Sequence, residues 1–108
     1  MLSRKQYQQV FDKPERSSDD YFTLLAKLND VKHARLGLAI AKKSIAHAVD
    51  RNRIKRLVRE SFRMQQLDLG HADFVVLAKR NLQNSTNEQI RQSLNKHWER
   101  LVKKCEKS

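Results

Sequence analysis

The sequence predicts an α/β sandwich, a small sheet with helices packed against it, on three observations. The runs Tyr21–Leu28 (YFTLLAKL) and Asp73–Lys79 (DFVVLAK) have the length and the aromatic and branched content of strands. A third run, Arg35–Lys42 (RLGLAIAK), puts Leu36, Leu38 and Ile40 on one face and Gly37, Ala39 and Ala41 on the other. Two longer segments, one centred on residues 51–66 and one on 85–105, repeat apolar residues at helical spacing. With a short helix at the start, the order is helix, strand, strand, helix, strand, helix.

Ser3 caps the first helix, which runs to about Phe11 with Tyr7, Val10 and Phe11 on one face. Pro14 and the polar run Glu15–Asp20 end it. The strand Tyr21–Leu28 follows, then a turn over Asn29–Ala34, then the strand from Arg35. The small side chains of that strand have two readings: close packing of a helix, or the floor of a groove for a ligand backbone. After Lys42, Lys43 and Ser44 comes the central helix, ending near Gln66, and Gly70 marks the next turn. The continuous apolar character of Asp73–Lys79 predicts a strand covered on both faces. Ser85, with Glu88 three residues on, is a capping-box pattern. The last helix then carries Ile90, Leu94, Trp98, Leu101 and Cys105 on one stripe.

Composition narrows the function classes. The 108 residues form one domain, 1–108, with room for a single modest core. The net charge is +11 and uneven: residues 35–63 carry +7, against +1 before them and +3 after. Such a concentration points to a polyanionic partner. Within it, Ile54, Leu57, Val58 and Phe62 form the apolar stripe of an amphipathic helix. Asn52, Arg56, Arg59 and Arg63 lie opposite the stripe, with Arg53 and Lys55 on its flanks. Charged helix faces usually mix signs and are merely solvated. This one is almost purely basic and rich in arginine, whose planar fork suits phosphate oxygens and stacks on bases. Lys42 and Lys43 extend the patch. The helix reads as a nucleic-acid contact.

No apolar run is long enough to span a bilayer, and no signal-peptide core opens the chain. The single cysteine, Cys105, fits a reducing compartment and so a cytoplasmic location. Its place on the apolar stripe makes it a buried structural thiol. His33, His47, His71 and His97 have no metal-ligand spacing and read as surface or edge residues. There is no glycine-rich phosphate cradle, so no catalytic or metal-binding residue is assigned. Trp98, on a long regular stripe, reads as core. Tyr7 and Phe11 divide evenly between core aromatics and a stacking platform for single-stranded bases.

The run from Leu36, LGLAIAKK, the Arg-Asn-Arg box at Arg51–Arg53 and the IKRLVRESFR that follows it closely resemble the signature of the bacterial ribonuclease P protein component. The resemblance covers nearly the whole chain, including Tyr7 and Phe11, the strand DFVVLAK and the helix bearing Trp98. It implies a mixed sheet of four strands with three helices, a short edge strand around Arg16–Asp19 being the fourth. It also implies a left-handed strand–helix–strand crossover, against the usual right-handed rule. By the same resemblance, Arg51, Asn52, Arg53, Lys55, Arg56 and Arg59 contact RNA; the charge pattern itself adds Lys42, Lys43 and Arg63 to the patch. Tyr7 and Phe11 line a cleft for a single-stranded 5′ leader, floored by Gly37, Ala39 and Ala41. Many members have phenylalanine where Tyr7 stands.

The family's catalytic subunit is an RNA which, with Mg²⁺, removes the 5′ leader of precursor tRNA. The implied partners are therefore that RNA and precursor tRNA, with no membrane, no small-molecule substrate and no cofactor held by the protein itself. A ribosome-associated structural RNA-binding protein is the competing reading, and a nuclease that cleaves by itself is a third.

Overall fold

The computed structural model describes residues 2–106, apart from the side chains of Gln83 and Glu106. In chain order its elements are α1 (Arg4–Val10), β1 (Glu15–Ser18), β2 (Phe22–Leu28), β3 (Arg35–Ala39), α2 (Ala48–Gln65), β4 (Ala72–Ala78) and α3 (Asn87–Glu106). Short 3-10 turns at Gln66–Leu69 and Arg80–Asn84 precede β4 and α3. The strands form one mixed sheet in the order β1-β2-β4-β3. β2 pairs antiparallel with β1 and with β4, while β3 pairs parallel with β4. A parallel pair needs a crossover, and α2 supplies it. The basic helix is therefore held at both ends by neighbouring strands.

Alternation along the central strands sorts the core into two. Phe22, Leu24 and Ala26 of β2, with Phe74 and Val76 of β4, face the roof of α2 and α3 in the main core. Leu25 and Val75 point the other way and pack against Val10 of α1, with Leu2, Tyr7 and Leu77 around them. Asp73–Lys79 is thus covered on both faces, as its unbroken apolar run predicts. The helical layer of α2 and α3 is continuous, and α1 covers only part of the opposite face. Phe62, Phe74 and Trp98 meet edge to face with ring centroids 5.6–6.2 Å apart. The Trp98 Nε1–H donates to Ser61 Oγ at 2.9 Å, so its one polar group is satisfied inside the α2–α3 joint.

Beyond one-residue shifts at β2 and β4, three features differ from the sequence expectation. The edge strand is Glu15–Ser18, polar except for its pairing with β2, and only Ser17 of it is buried. Propensity does not mark such a strand; the ladder makes it. β3 stops at Ala39 rather than Lys42, because the Ala41 carbonyl accepts from Ser44 N and Ile45 N and turns the chain. The capping box of α3 is Thr86 with Gln89, not Ser85 with Glu88. The Thr86 hydroxyl accepts from Gln89 N at 3.1 Å, and the Gln89 side chain accepts from Thr86 N at 2.9 Å. Ser85 instead donates to the Asn81 carbonyl. The first helix keeps its expected start, with Ser3 and Gln6 capping each other. Gly70 takes φ +70° after the first 3-10 turn, a conformation open to glycine at little cost.

Candidate nucleic-acid interface

The apolar stripe of α2 is buried as its spacing predicts: Ile54, Leu57, Val58 and Phe62 are its buried residues. The opposite face is free. Asn52, Arg56, Arg59 and Arg63 are exposed, and Lys55 is half-buried on the flank. Lys42 and Lys43 stand exposed on the turn leading into the helix. Among the described residues, no acid pairs with Arg56, Arg59 or Arg63 within salt-bridge distance. Glu60 shares a surface hollow with these three arginines without pairing to any of them, and the exposed guanidinium row is chemically suited to phosphate oxygens.

Arg51 and Arg53 differ from this row. Both are half-buried, and both spend donors inside the fold. Arg51 Nη1 donates to the carbonyls of Ile45 and Ala46 at 2.9 and 2.8 Å. Arg53 Nη1 donates to Asn87 Oδ1 at 2.8 Å and to the Ser85 carbonyl at 3.3 Å, tying α2 to the start of α3. Arg35, which contributes to the segment's +7 charge, is also committed elsewhere. Its guanidinium grips Asp73 in a fork at 2.7 and 2.9 Å, across the Arg35–Asp73 pair of the β3–β4 ladder. Donating to the Asp73 carboxylate raises the guanidinium's already high pKa.

The second candidate surface lies on the α1 face of the sheet. Tyr7 is half-buried and Phe11, the C-cap of α1, is 47% exposed, with ring centroids 5.3 Å apart. Burial raises the Tyr7 phenol pKa, so the ring stays neutral. Tyr7 roofs Gly37: a Cβ there would come within 2.9 Å of Tyr7 Cδ2 and 3.2 Å of Leu2 Cδ1. Gly37 is therefore buried beneath the helix and does not floor an open groove, which corrects its place in the expected cleft. The accessible part of the small-residue strip is Ala39, half-buried, and Ala41, exposed beyond the strand end. Of the two readings of that strip, close helix packing holds at Gly37, and open surface holds from Ala39 onward. Lys27 fixes α1 on the sheet by donating to the carbonyls of Gln9 and Asp12 at the helix C-terminus. A cavity of about 680 Å³ lies on the other flank of α1, between Lys5, Gln6, Lys27, Arg35 and Asp73, where acids and bases are mixed.

One histidine is not where sequence reading puts it. His33, His47 and His71 are exposed, but His97 is fully buried under β1. Its Nδ1 lies 2.6 Å from Ser17 Oγ, and its Nε2 faces Asp19 Oδ2 at 3.1 Å without good hydrogen-bond alignment. Asp19 also accepts from Ser93 Oγ and from the Tyr21 and Phe22 amides. Burial alone would raise the Asp19 pKa. The Ser93 and backbone hydrogen bonds and the nearby imidazole outweigh it and hold the carboxyl at about 2. Burial lowers the pKa of His97, an effect that Asp19 only partly offsets. Serine, histidine and aspartate together invite a hydrolytic reading, yet Ser17 is 4% and His97 0% exposed, so no substrate reaches them. They clamp the edge strand to α3. The signal was present in the sequence: His97 lies three residues from Leu94 and four from Leu101, on the apolar stripe. Cys105 is half-buried at the edge of the core rather than enclosed, and burial raises its thiol pKa, which lowers its thiolate fraction.

Among the described residues, no three His, Cys, Asp or Glu side chains come together to hold a metal ion, and no helix is long and apolar enough to cross a membrane. The family model for ribonuclease P matches residues 1–102. Ribonuclease P protein components from Histophilus somni and Vibrio parahaemolyticus are 44% and 48% identical over 108 and 101 residues, covering 91% and 86% of those proteins and 100% and 94% of this chain. The Staphylococcus aureus ribonuclease P protein structure superposes with TM-score 0.82 at 28% identity, covering 97% of this chain and 93% of that one. The Thermotoga maritima protein does so with TM-score 0.80 at 25% identity, covering 93% and 94%. A match across nearly the full length, in sequence and in fold, leaves one conclusion: the chain belongs to the ribonuclease P protein family.

Proposed function

We propose that this chain, as a ribonuclease P protein component, binds the catalytic RNA of that ribonucleoprotein through the exposed face of α2 and holds the 5′ leader of precursor tRNA on its α1 face. The observation that carries the reading is the row Arg56, Arg59 and Arg63, exposed and in no ion pair among the described residues, opposite a packed apolar stripe. Lys42, Lys43, Asn52 and Lys55 extend that surface, and Arg51 and Arg53 keep further donors for RNA beyond those used inside the fold. Phe11 offers a ring face to a leader base, Tyr7 supports it, and Ala39 and Ala41 leave room for the strand's backbone.

In this mechanism the protein acts by charge and position. Its cations offset repulsion between two RNAs, and its α1 face orients the leader so that the scissile phosphate meets the catalytic centre of the RNA subunit. Mg²⁺ held by that RNA supplies the hydrolytic chemistry. The half-buried lone thiol suits a cytoplasmic setting.

The test is cleavage of precursor tRNA by purified protein, with and without the catalytic RNA. The protein alone should cut nothing. Added to the RNA, it should accelerate 5′ maturation most at low Mg²⁺, where its cations replace part of the metal's screening. Robust Mg²⁺-dependent cleavage by nuclease-free protein would overturn the reading. Binding to ribosomal RNA with no effect on maturation would move the chain to the structural class.

A further inference from the structure

The arginines of α2 fall into two groups, and the inward group has a task of its own. Arg51 lies in the first turn of the helix, and its Nη1 reaches back to the carbonyls of Ile45 and Ala46. Those two residues end the connection from β3. Upstream, the Ala41 carbonyl closes the turn by accepting from Ser44 N and Ile45 N, and the Ile45 side chain is fully buried. Lys42 and Lys43 project from this turn into solvent. A single nitrogen bridging two consecutive carbonyls fixes the turn's exit relative to the helix axis, and so fixes where the two ammonium groups stand relative to the start of α2.

We infer that Arg51 is a positioning residue, which locks the Ala41–His47 connection so that Lys42 and Lys43 join the helix face in one phosphate-binding surface. The inference rests on the RNA-binding reading of α2 and deepens it. An arginine touching phosphate directly and an arginine holding two lysines in place give different double-mutant behaviour. Direct contacts contribute independently, whereas a brace and what it braces share one effect.

The experiment measures affinity of the full-length protein for the catalytic RNA as a function of salt. The variants are Lys42→Ala/Lys43→Ala, Arg51→Lys, Arg51→Ala and their combinations. Arg56→Ala is the control for the helix face. Two lost lysine contacts should flatten the plot of log affinity against log salt by up to about 1.5 units. Arg51→Lys keeps the charge, but its side chain is one bond shorter and lacks the fork. If Arg51 positions the lysines, this variant shows most of that flattening by itself, and adding the lysine substitutions changes little further. If Arg51→Lys binds like wild type, or if the lysine substitutions have their full effect in either Arg51 background, the positioning role is wrong. Lysine substitutions with no effect of their own would also overturn it, since there would be nothing to position. Should Arg56→Ala be silent as well, the whole α2 interface fails, which separates that failure from failure of the brace alone. Arg51→Lys remains informative even if Arg51→Ala does not fold.

Discussion

Two aromatic groups sit on opposite faces of one sheet and show how coverage assigns a ring its task. On the α2–α3 face, Phe62, Phe74 and Trp98 interlock and none is more than 8% exposed. On the α1 face, Tyr7 and Phe11 touch each other, but Phe11 is 47% exposed. Composition does not separate the groups; the roof does. Helices of 18 and 20 residues cover one face, while a helix of 7 covers part of the other. Rings under the long helices are enclosed in the core, whereas at the rim of the short one a ring stays open to solvent.

The largest expected effect tests the covered side. Trp98→Ala removes a ring buried to 2% and leaves Ser61 without its donor. It should cost about 3–5 kcal/mol in urea unfolding. A loss under about 1 kcal/mol would mean that the three rings are not the keystone of the α2–α3 joint.

Next comes the open side. Phe11→Ala should weaken holoenzyme binding of precursor tRNA by about 1–3 kcal/mol, the value of one stacked base. Mature tRNA, with no leader to stack, should bind as before, and the melting temperature should barely move. Equal losses for both tRNAs together with a large drop in melting temperature would place Phe11 with the core rings and erase the contrast. Tyr7→Phe should be nearly silent in both measurements if only the ring matters.

A third test probes the polar clamp beneath the covered face. Because burial lowers the His97 pKa in the folded state, the unfolded chain takes up the proton first as pH falls. The contribution of His97 is therefore complete above its ordinary value of about 6.5 and declines as pH drops below it, by at most about 1.4 kcal/mol per pH unit for one proton. Asp19 adds a second loss at lower pH, between its ordinary 3.8 and its folded value of about 2. Denaturant melts from pH 7.5 to 5 should show the first decline, and His97→Gln should flatten it. An unchanged slope in that variant would show that the proton goes elsewhere.

The smallest effect on stability belongs to the exposed row of α2. Arg56→Ala and Arg59→Ala should leave stability within about 0.5 kcal/mol of wild type. Each should reduce the salt dependence of RNA binding by up to about one log unit per log unit of salt. Unfolding of either variant, with Leu57→Ala unaffected, would mean that the helix faces the other way.

Periodicity is a local property, and what depends on it was legible. The spacing of Ile54, Leu57, Val58 and Phe62 set the buried face of α2, and the arginines opposite were exposed as a necessary consequence. The apolar stripe of α3 likewise put Trp98 in the core, and it pointed to His97 as well, had the imidazole been allowed inside. Charge density along the chain announced a polyanion partner without any knowledge of the fold.

Other features depended on pairs of residues far apart in sequence, which no local pattern encodes. Ser17 is buried because the polar β1 pairs with β2 and lies under α3, 80 residues away from it at His97. Gly37 looked like a groove floor until α1 folded across it and set Tyr7 on top. Arg35, Arg51, Arg53 and Arg56 are equivalent in any count of charge, yet only Arg56 is fully presented to solvent. The others found a carboxylate or unsatisfied carbonyls within reach, and a buried or half-buried polar group takes such a partner because leaving it unmade is expensive. The sequence by itself determined which helix is basic and which of its faces is packed. Only the tertiary structure decided which cations remain free to meet RNA, because that depends on what the fold brings within about 3 Å of each guanidinium.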